Sequence, residues 1–328
     1  MSNDAYGAIM ERIRDGSGPL LIVCHVSPDG DAVGAALAVA HYCESVGRAF
    51  VLVNDDPVPS RYDFMPLADR FLRTTDVSLR FAQVIAVDCA DARRMGQTTL
   101  LFAPDYELIN IDHHDTNDGY GHLNVVDPQA AATCLVLYRM MHTLHVPIGR
   151  AMATCLYTGI VFDTGGFRYN NSTPEIHLAA ADLLTRGIEP FYIADRVLEA
   201  MTKEQVELVR LGLSTLVVDP SGRMAYVAVD QAMLSASGAT DDDTEALLPY
   251  TRSLSGVEVG ILFRERTDHS VKVSLRSRER VDVAAIAVSF GGGGHVRAAG
   301  CNLEGPLADA IAQVTDQVRK AVSAAFAQ

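Results

Sequence analysis

The chain has 328 residues, of which 48% are hydrophobic and 21% charged, a balance typical of a globular protein too long for one compact core. Its formal net charge of −14 argues against a protein that grips long nucleic acid, because such proteins present a basic surface. No apolar run approaches the roughly 18 residues of a membrane span, and the polar start MSNDAYGAIM is unlike a signal peptide.

The cysteine pattern indicates a reducing compartment. Six cysteines are scattered along the chain without a CxxC pair, and most of them lie inside apolar runs. We therefore expect reduced thiols buried in the core of a cytoplasmic protein, and no zinc–thiolate site.

The first half of the chain alternates short apolar runs with helical patterns. Strands are predicted at 19–25, 49–53, 83–88 and 106–112, and helices at 31–47, 130–145, 150–162 and 174–187. This alternation predicts a mostly parallel sheet that is covered on both faces.

The pattern changes in the second half, where a smaller α/β domain is predicted. Its strands are expected at 224–230, 257–266 and 270–278, and its helices at 241–255, 282–289 and 306–326. The predicted organisation is a first domain over 1–190, a helical linker over 191–215 and a second domain over 216–328.

Three predicted strands of the first half end on ionisable side chains. The first runs into His25, Asp29 and Asp31, the third ends on Asp88, and the fourth runs into Asp112, His113 and His114. In an open parallel sheet, ligands bind beyond the carboxyl ends of the strands, so these residues are expected to converge on one crevice. A further acid, Asp163, follows the apolar run TGIVF.

Each of these residues also has an ordinary structural interpretation. Asp29 could form a turn, Asp31 could cap the helix that follows, and Asp112 to His114 could be a polar loop. Several carboxylates at one sheet edge repel one another, however, and need a cation to offset the repulsion. Carboxylates with imidazoles suit Mn²⁺, Mg²⁺ or Fe²⁺, and this many ligands would serve two ions roughly 3.5–4 Å apart.

Four segments resemble, in order, the motifs of the DHH phosphoesterases: HVSPDGDAVGAALA (25–38), VIAVDCADARRMG (84–96), NIDHHDTN (110–117) and YTGIVFDTGGFRYNNST (157–173). A fifth segment, SFGGGGHVRAAGC (289–301), resembles the signature of the DHH-associated C-terminal domain. The size and two-domain layout are most similar to the subfamily of nano-RNases and 3′-phosphoadenosine 5′-phosphate phosphatases.

The resemblance implies two divalent metal ions, Mn²⁺ by preference with Mg²⁺ as an alternative. It assigns His25 and Asp29 to one ion, Asp31, His113 and Asp163 to the other, and Asp88 to a bridge between them. It also implies that His114 faces the substrate phosphate and that Asp112 orients its neighbours.

The resemblance also implies substrate contacts. Four glycines at 291–294 could form an anion nest, although a flexible loop is the ordinary interpretation of such a run. The implied substrate-binding residues are Arg94, Ser274, Arg276, Gly292, Gly293, Gly294 and His295. Arg278 and Arg280 could serve the same role or could belong to a solvated edge strand.

The implied activity is hydrolysis of phosphoric esters through in-line attack on phosphorus by a hydroxide that bridges two metal ions. The expected substrates are short oligoribonucleotides, including pApA and pGpG, which would be cut to mononucleotides, and 3′-phosphoadenosine 5′-phosphate, which would yield AMP. The enzyme is expected to be a cytoplasmic homodimer that binds neither a membrane nor long nucleic acid.

Three alternatives stay open at this point. A cyclic di-AMP phosphodiesterase would carry the same motifs. A family II inorganic pyrophosphatase would share the metal half but would lack the GGGGH segment, which this chain has at 291–295. A catalytically inactive nucleotide sensor would have lost metal ligands, whereas all of the implied ligands are present here.

Overall fold

The computed structural model describes residues 3–327, without the side chains of residues 3–5 and 242. The chain divides into two compact units, residues 1–200 and 201–328. The predicted bounds of the first domain, the linker and the second domain stay a prediction. Among the described residues, no helix combines the length and the apolar character that crossing a membrane would require.

The first unit is built around a six-stranded sheet. Its elements in chain order are α1 (Asn3–Asp15), β1 (Leu20–Val23), α2 (Gly30–Ser45), β2 (Phe50–Asn54), β3 (Leu72–Arg73), β4 (Phe81–Val87), β5 (Phe102–Asp112), β6 (Leu123–Val126), α3 (Thr133–Thr143), α4 (Arg150–Asp163), α5 (Pro174–Leu184) and α6 (Pro190–Ala194). The strand order is β3-β2-β1-β4-β5-β6, and every neighbouring pair is parallel. The order reverses between β1 and β4, which is where such sheets open a crevice for ligands.

The sheet of the first unit is buried on both faces, because alternate residues of one strand point to opposite sides. Leu20 and Ile22 of β1 pack into a core with α1 to α4, whereas Leu21 and Val23 pack into a separate core. The short helical segment at 92–101 covers that second face. The predicted fold class, a mostly parallel α/β domain followed by a smaller one, is confirmed.

The second unit contains a mixed sheet. Its elements are α7 (Lys203–Leu213), β7 (Val217–Val218), β8 (Met224–Val229), α8 (Gln231–Ser237), α9 (Leu248–Ser253), β9 (Val259–Glu265), β10 (Val271–Ser277), α10 (Val283–Ser289), β11 (Gly293–His295), β12 (Ala298–Leu303) and α11 (Leu307–Phe326). The order is β11-β12-β10-β9-β8-β7, in which only the β8–β9 pair is parallel within the described residues. Ile261 and Phe263 face a core with α11, and Leu262 faces another with α7.

The stretch 191–215, predicted as one helical linker, is interrupted. Helix α6 ends at Ala194, a wide helical turn follows over 195–199, and Ala200 is extended. A new helix then starts after Thr202, whose hydroxyl accepts from the Gln205 N–H while the Gln205 side chain accepts from the Thr202 N–H. This reciprocal cap begins a second helix, and apolar periodicity alone does not reveal the break.

Glu258 lies just before β9 and holds the loop that leads from β10 to α10. Its buried carboxylate accepts from the backbone N–H groups of Glu279, Arg280 and Val281 at 3.0, 2.6 and 3.0 Å. Burial alone would raise the pKa of Glu258, but these three donors hold it below its usual value. The loop is therefore fastened to the sheet by a charged acceptor.

We predict that Glu258→Gln lowers the free energy of unfolding by about 1.5–3 kcal/mol at pH 7, because a neutral amide oxygen accepts less strongly than a carboxylate. A depressed pKa stabilises the fold above the unfolded value of 4.5 and ceases to do so as the pH falls through the folded value. The difference between the two proteins should therefore shrink in acid.

Urea unfolding followed by circular dichroism at pH 7 and at pH 3.5 measures this difference. Glu304→Gln is the matched control, because Glu304 is an exposed acid of the same unit. An equal loss at both pH values would show that the charge of Glu258 is not responsible.

Candidate metal centre

The ends of three adjacent strands place the first predicted residues side by side. Val23 of β1 pairs with Ala86 of β4, and Val87 of β4 pairs with Ile111 of β5. His25, Asp88 and Asp112 follow these positions or end the strand, so they share one edge of the sheet. Asp88 turns the chain with a φ of 57°, a left-handed conformation that is strained for a residue with a side chain.

The first group of ligand atoms belongs to His25, Asp29 and Asp88, and these atoms all lie within 4.8 Å of one another. His25 Nε2 is 3.5 Å from Asp29 Oδ2 and 3.6 Å from Asp88 Oδ2. His25 Nδ1 contacts the carbonyl of Val26 at 2.8 Å, so one proton belongs on Nδ1 and Nε2 is the ring atom directed at the two carboxylates. Asp29 Oδ1 also caps α2 by accepting from the Asp31 N–H at 3.0 Å.

The second group belongs to Asp31, His113 and Asp163. His113 Nε2 is 3.3 Å from Asp163 Oδ2 and 3.6 Å from Asp88 Oδ1. Its Nδ1 lies 3.2 Å from the carbonyl of Ala130, which again leaves Nε2 free to bind a cation. The two oxygens of Asp88 thus face different imidazoles, as a bridging carboxylate requires.

Close packing of two helices brings Asp31 and Asp163 together. Asp31 lies in the first turn of α2, and Asp163 is the last residue of α4. A Cβ on Gly159 would lie 2.4 Å from Asp31 Oδ1, and one on Gly34 would lie 2.6 Å from the carbonyl of Cys155. A side chain at either position would therefore push the helices, and with them the two acids, apart.

Asp112 and His114 form a hydrogen-bonded pair beside these groups. His114 Nδ1 lies 2.8 Å from Asp112 Oδ1, and the fully buried Asp112 also accepts from Asn117 Nδ2 at 2.6 Å. Burial alone would lower the pKa of His114, but Asp112 and Asp88 raise it. His114 also joins Asp88 and His113 in a third group of possible ligands.

The electrostatics of the centre show a deficit of positive charge. Burial, and next the charge of Asp88, raise the pKa of Asp31 to about 7, and burial with neighbouring acids raises the pKa of Asp163 well above its usual value. Burial alone would lower the pKa of His25, but adjacent carboxylates raise it to about 10. Burial opposes ionisation of Asp88, but His25 and His113 keep its pKa low.

The residues present fit divalent metal ions. Neighbouring donors on one ion at about 2.1 Å lie roughly 3 to 4 Å apart, which matches the 3.3–3.6 Å contacts around His25 and His113. The donors are carboxylates and imidazoles, and the nearby Cys134 thiol has a pKa raised by burial, which disfavours a thiolate ligand. The structure therefore brings all six predicted ligands into one cluster of the first unit.

The predicted substrate residues of the second unit lie in two rows across its sheet. Ser274 and Gly293 both pair with Gly300 of β12, and Arg276 and His295 both pair with Ala298. Residues paired across neighbouring strands share a face, so these four lie on one face of the sheet. Gly292 directly precedes β11, and Gly294 lies within it. Arg94, in contrast, is an exposed residue of the first unit, where its carbonyl accepts from the Val26 N–H at 2.8 Å.

Several of these residues already have partners. The N–H groups of Gly291 and Gly292 donate to carbonyls of α10, so the expected nest of free amides is reduced. The Ser274 hydroxyl donates to Glu245 at 2.9 Å. Arg278 donates to the carbonyls of residues 252 and 254, so its partners are structural. The interpretation of this segment as an edge strand is wrong, because β10 pairs with β12 on one side and β9 on the other.

Two residues of the centre were missed by the sequence interpretation. Asn117 holds Asp112, and the Thr133 hydroxyl donates to Asp88 Oδ1 at 2.9 Å. Asn117 lies inside the NIDHHDTN segment and follows the carboxylate by five residues, a local signal that could have identified it. Thr133 carries no such signal, because its partner lies 45 residues away in the chain.

The protein is therefore a two-unit α/β protein with one parallel sheet and one mixed sheet. It has a candidate dinuclear metal centre at the carboxyl edge of the parallel sheet. Residues 19–160 match the N-terminal domain of the DHH family, and residues 222–327 match the DHHA1 domain. A bifunctional oligoribonuclease and PAP phosphatase NrnA of Thermus thermophilus is 34% identical over 97% of this chain and 94% of its own length. The chain belongs to the DHH family, as its motifs predicted.

Two further comparisons agree with this assignment. A probable bifunctional oligoribonuclease and PAP phosphatase NrnA of Streptococcus mutans is 28% identical over 91% of this chain and 93% of its own length. The crystal structure of an exopolyphosphatase-related protein from Bacteroides fragilis has a TM-score of 0.89, is 24% identical and covers 96% of this chain and 95% of its own. At that identity the structure supports the fold alone. Phosphoesterases of the DHH family are metal-dependent, and the three ligand groups could hold such ions.

We predict that Asp163→Asn raises the melting temperature of the metal-free protein by about 2–6 °C, because it replaces an acid whose ionisation is opposed by burial and by the neighbouring acids. The same change should abolish most of the stabilisation that excess Mn²⁺ gives the wild type, since one ligand is lost. Thermal unfolding followed by circular dichroism, in a chelator and in Mn²⁺, measures both effects.

Asp115→Asn is the control for this substitution, because Asp115 is an exposed acid of the segment 110–117, which also carries the candidate ligand His113. It should leave both melting temperatures unchanged. A metal-free Asp163→Asn protein that is less stable than the wild type would contradict the idea of a repulsive acidic cluster.

Proposed function

We propose that this chain is a metal-dependent phosphoric ester hydrolase that cuts short oligoribonucleotides, including pApA and pGpG, to mononucleotides. In the same site it removes a phosphate from 3′-phosphoadenosine 5′-phosphate to give AMP. The proposal depends on one observation above all, the gathering of His25, Asp29, Asp31, Asp88, His113 and Asp163 within a member of the DHH family. Two relatives that are named for these two activities match this chain over nearly their whole length.

Two divalent ions, for which we propose Mn²⁺, would polarise the phosphoryl oxygens and lower the pKa of the water that attacks phosphorus. His25 and Asp29 are proposed to hold one ion, and Asp31, His113 and Asp163 the other, with Asp88 as the bridge. Carboxylates and imidazoles are ligands that suit Mn²⁺. The Nε2 atoms of both histidines would bind the ions, and an ion would displace any proton that Nε2 carries in the metal-free protein.

His114 is proposed to act on the substrate phosphate. Its Nδ1 proton is directed at Asp112, and the carboxylates of Asp112 and Asp88 raise its pKa, which favours the form with a second proton on Nε2. A protonated Nε2 would donate to a phosphoryl oxygen and stabilise the charge that develops there. Asp112 would fix the ring orientation, and Asn117 would fix Asp112.

The second unit is proposed to contact the substrate. Its candidate residues are Ser274, Arg276, Gly292, Gly293, Gly294 and His295, and the first unit adds Arg94. Their support is the family resemblance, together with the placement of four of them on one sheet face. A net charge of −14 favours a substrate with few phosphates over a long polymer.

We predict that the purified protein with Mn²⁺ hydrolyses pApA, pGpG, RNAs of a few nucleotides and 3′-phosphoadenosine 5′-phosphate faster than long RNA, cyclic di-AMP or pyrophosphate. Product analysis by chromatography over this substrate panel gives the rates. Asp88→Asn should lower all of them at least about a thousandfold, since one substitution disturbs both proposed ions. Asp115→Asn serves again as the control and should retain full activity.

The competing functions are separate outcomes of the same panel. Fastest turnover of cyclic di-AMP would favour a cyclic-dinucleotide phosphodiesterase, and turnover of pyrophosphate alone would favour a pyrophosphatase. Binding of nucleotides without turnover of any substrate would favour a sensor. A near-normal rate for Asp88→Asn in Mn²⁺ would contradict the two-metal scheme.

We also propose that the protein is a homodimer that works in the cytoplasm. The dimer is suggested by the family resemblance. The location is suggested by the six cysteines, which are all free and buried and suit a reducing compartment. Light scattering of the purified protein should give the mass of two chains, and the mass of one chain would contradict the dimer.

A further inference from the structure

Asp88 receives a hydrogen bond that distinguishes its two carboxylate oxygens. Oδ2 lies 3.6 Å from His25 Nε2, on the side of the first ligand group. Oδ1 lies 3.6 Å from His113 Nε2, on the side of the second group, and accepts from the Thr133 hydroxyl at 2.9 Å. A carboxylate oxygen has two lone pairs, so one hydroxyl donor leaves Oδ1 able to bind a cation.

Thr133 also connects directly to the second ligand group. It is fully buried and is the first residue of α3. Its backbone N–H donates to Asp31 Oδ2 at 2.5 Å, and the N–H of Cys134 donates to Asp31 Oδ1 at 2.9 Å. The positive end of α3 therefore faces two carboxylates of the centre, with the hydroxyl on one and the amides on the other.

Without the hydroxyl, little else would fix the orientation of the Asp88 carboxylate. Three imidazoles surround it, because His114 Nδ1 also lies 3.7 Å from Oδ1. The two oxygens of a carboxylate are chemically equivalent, so the hydroxyl fixes the plane of the carboxylate, with one oxygen toward His25 and the other toward His113. The terminal torsion of an aspartate is soft, whereas the χ1 torsion of a buried β-branched threonine is restricted. The stiffer side chain thus defines the position of the softer one.

We infer that Thr133 is a positioning residue that orients Asp88 as the bridge between two metal subsites and chiefly supports the subsite of Asp31, His113 and Asp163. The inference rests on the proposed two-metal function. It assigns the hydroxyl a role separate from that of the N–H groups of α3, which hold Asp31 through the backbone and persist after a side-chain substitution.

Thr133→Val tests this role, because valine keeps the shape of threonine and removes only the donor. Titration of the metal-free protein with Mn²⁺, followed by electron paramagnetic resonance, measures binding without any substrate. We expect the first ion to bind as in the wild type and the second about 10–100-fold more weakly. The kcat at limiting Mn²⁺ should fall in parallel and should recover in excess Mn²⁺.

Thr133→Ser restores the hydroxyl and should return Mn²⁺ binding close to wild-type values. Thr98→Val is the matched control, since Thr98 is another fully buried threonine of the first unit whose hydroxyl donates to the carbonyl of Met95 at 2.7 Å. It should leave both Mn²⁺ affinities unchanged. The serine variant keeps the test decisive if the valine variant fails to fold.

Unchanged binding of both ions by Thr133→Val would overturn the inference, as would equal losses in the serine and valine variants. A wild-type protein that binds fewer than two Mn²⁺ ions would overturn it as well. If the wild type hydrolyses none of the proposed substrates but Thr133→Val still weakens the second Mn²⁺, then the proposed function fails and the positioning role stands.

Discussion

Mutual repulsion among buried carboxylates is the constraint on which the first unit depends. Asp88 follows a strand at one edge of the sheet, Asp31 and Asp163 reach the same place from helices α2 and α4, and burial would raise the pKa of each. Imidazoles and the N–H groups of α3 offset part of this negative charge. The pKa values of Asp31 and Asp163 nevertheless stay raised, so the negative charge is not fully compensated. A divalent cation is the chemical means of completing it, so the cost of burying these acids is also the source of metal affinity.

The scaffold holds this repulsive arrangement by close packing. Helices α2 and α4 approach through Gly34 and Gly159, and the parallel strand register fixes His25 beside Asp88. Asp88 itself has a left-handed backbone, a strain that persists because the strands on both sides determine its position. The sheet and the helix contacts thus stabilise the first unit enough to keep the charged groups of the site close together, although their repulsion is unfavourable.

One segment of the second unit, the glycine run at 291–294, is required by the fold and also belongs to the substrate face that we propose. The glycine run is required by the fold, because Gly291 has a φ of 75° and a Cβ on Gly292 would lie 2.2 Å from the carbonyl of Gly300. Because glycine occupies these positions, β11 can pair with β12. His295 and Arg276 then lie on either side of Ala298, in one row across the sheet. The substrate face proposed for this unit therefore depends on backbone geometry as much as on its charged side chains.

Apolar periodicity was sufficient to predict the parallel α/β core and a gathering of ionisable residues beyond the strand ends, because buried strands are continuous apolar runs whose carboxyl ends meet at one edge. The choice of six ligands among those residues came from the resemblance to the DHH motifs. The sequence interpretation missed β3, β6, β7, β11 and β12, because these strands are short and offer too few positions for a periodic apolar pattern. The folded structure was needed to show that the Asp88 carboxylate lies between His25 and His113 and that the Thr133 hydroxyl donates to it. Such contacts join residues far apart in the chain, and their geometry depends on packing that no local pattern encodes.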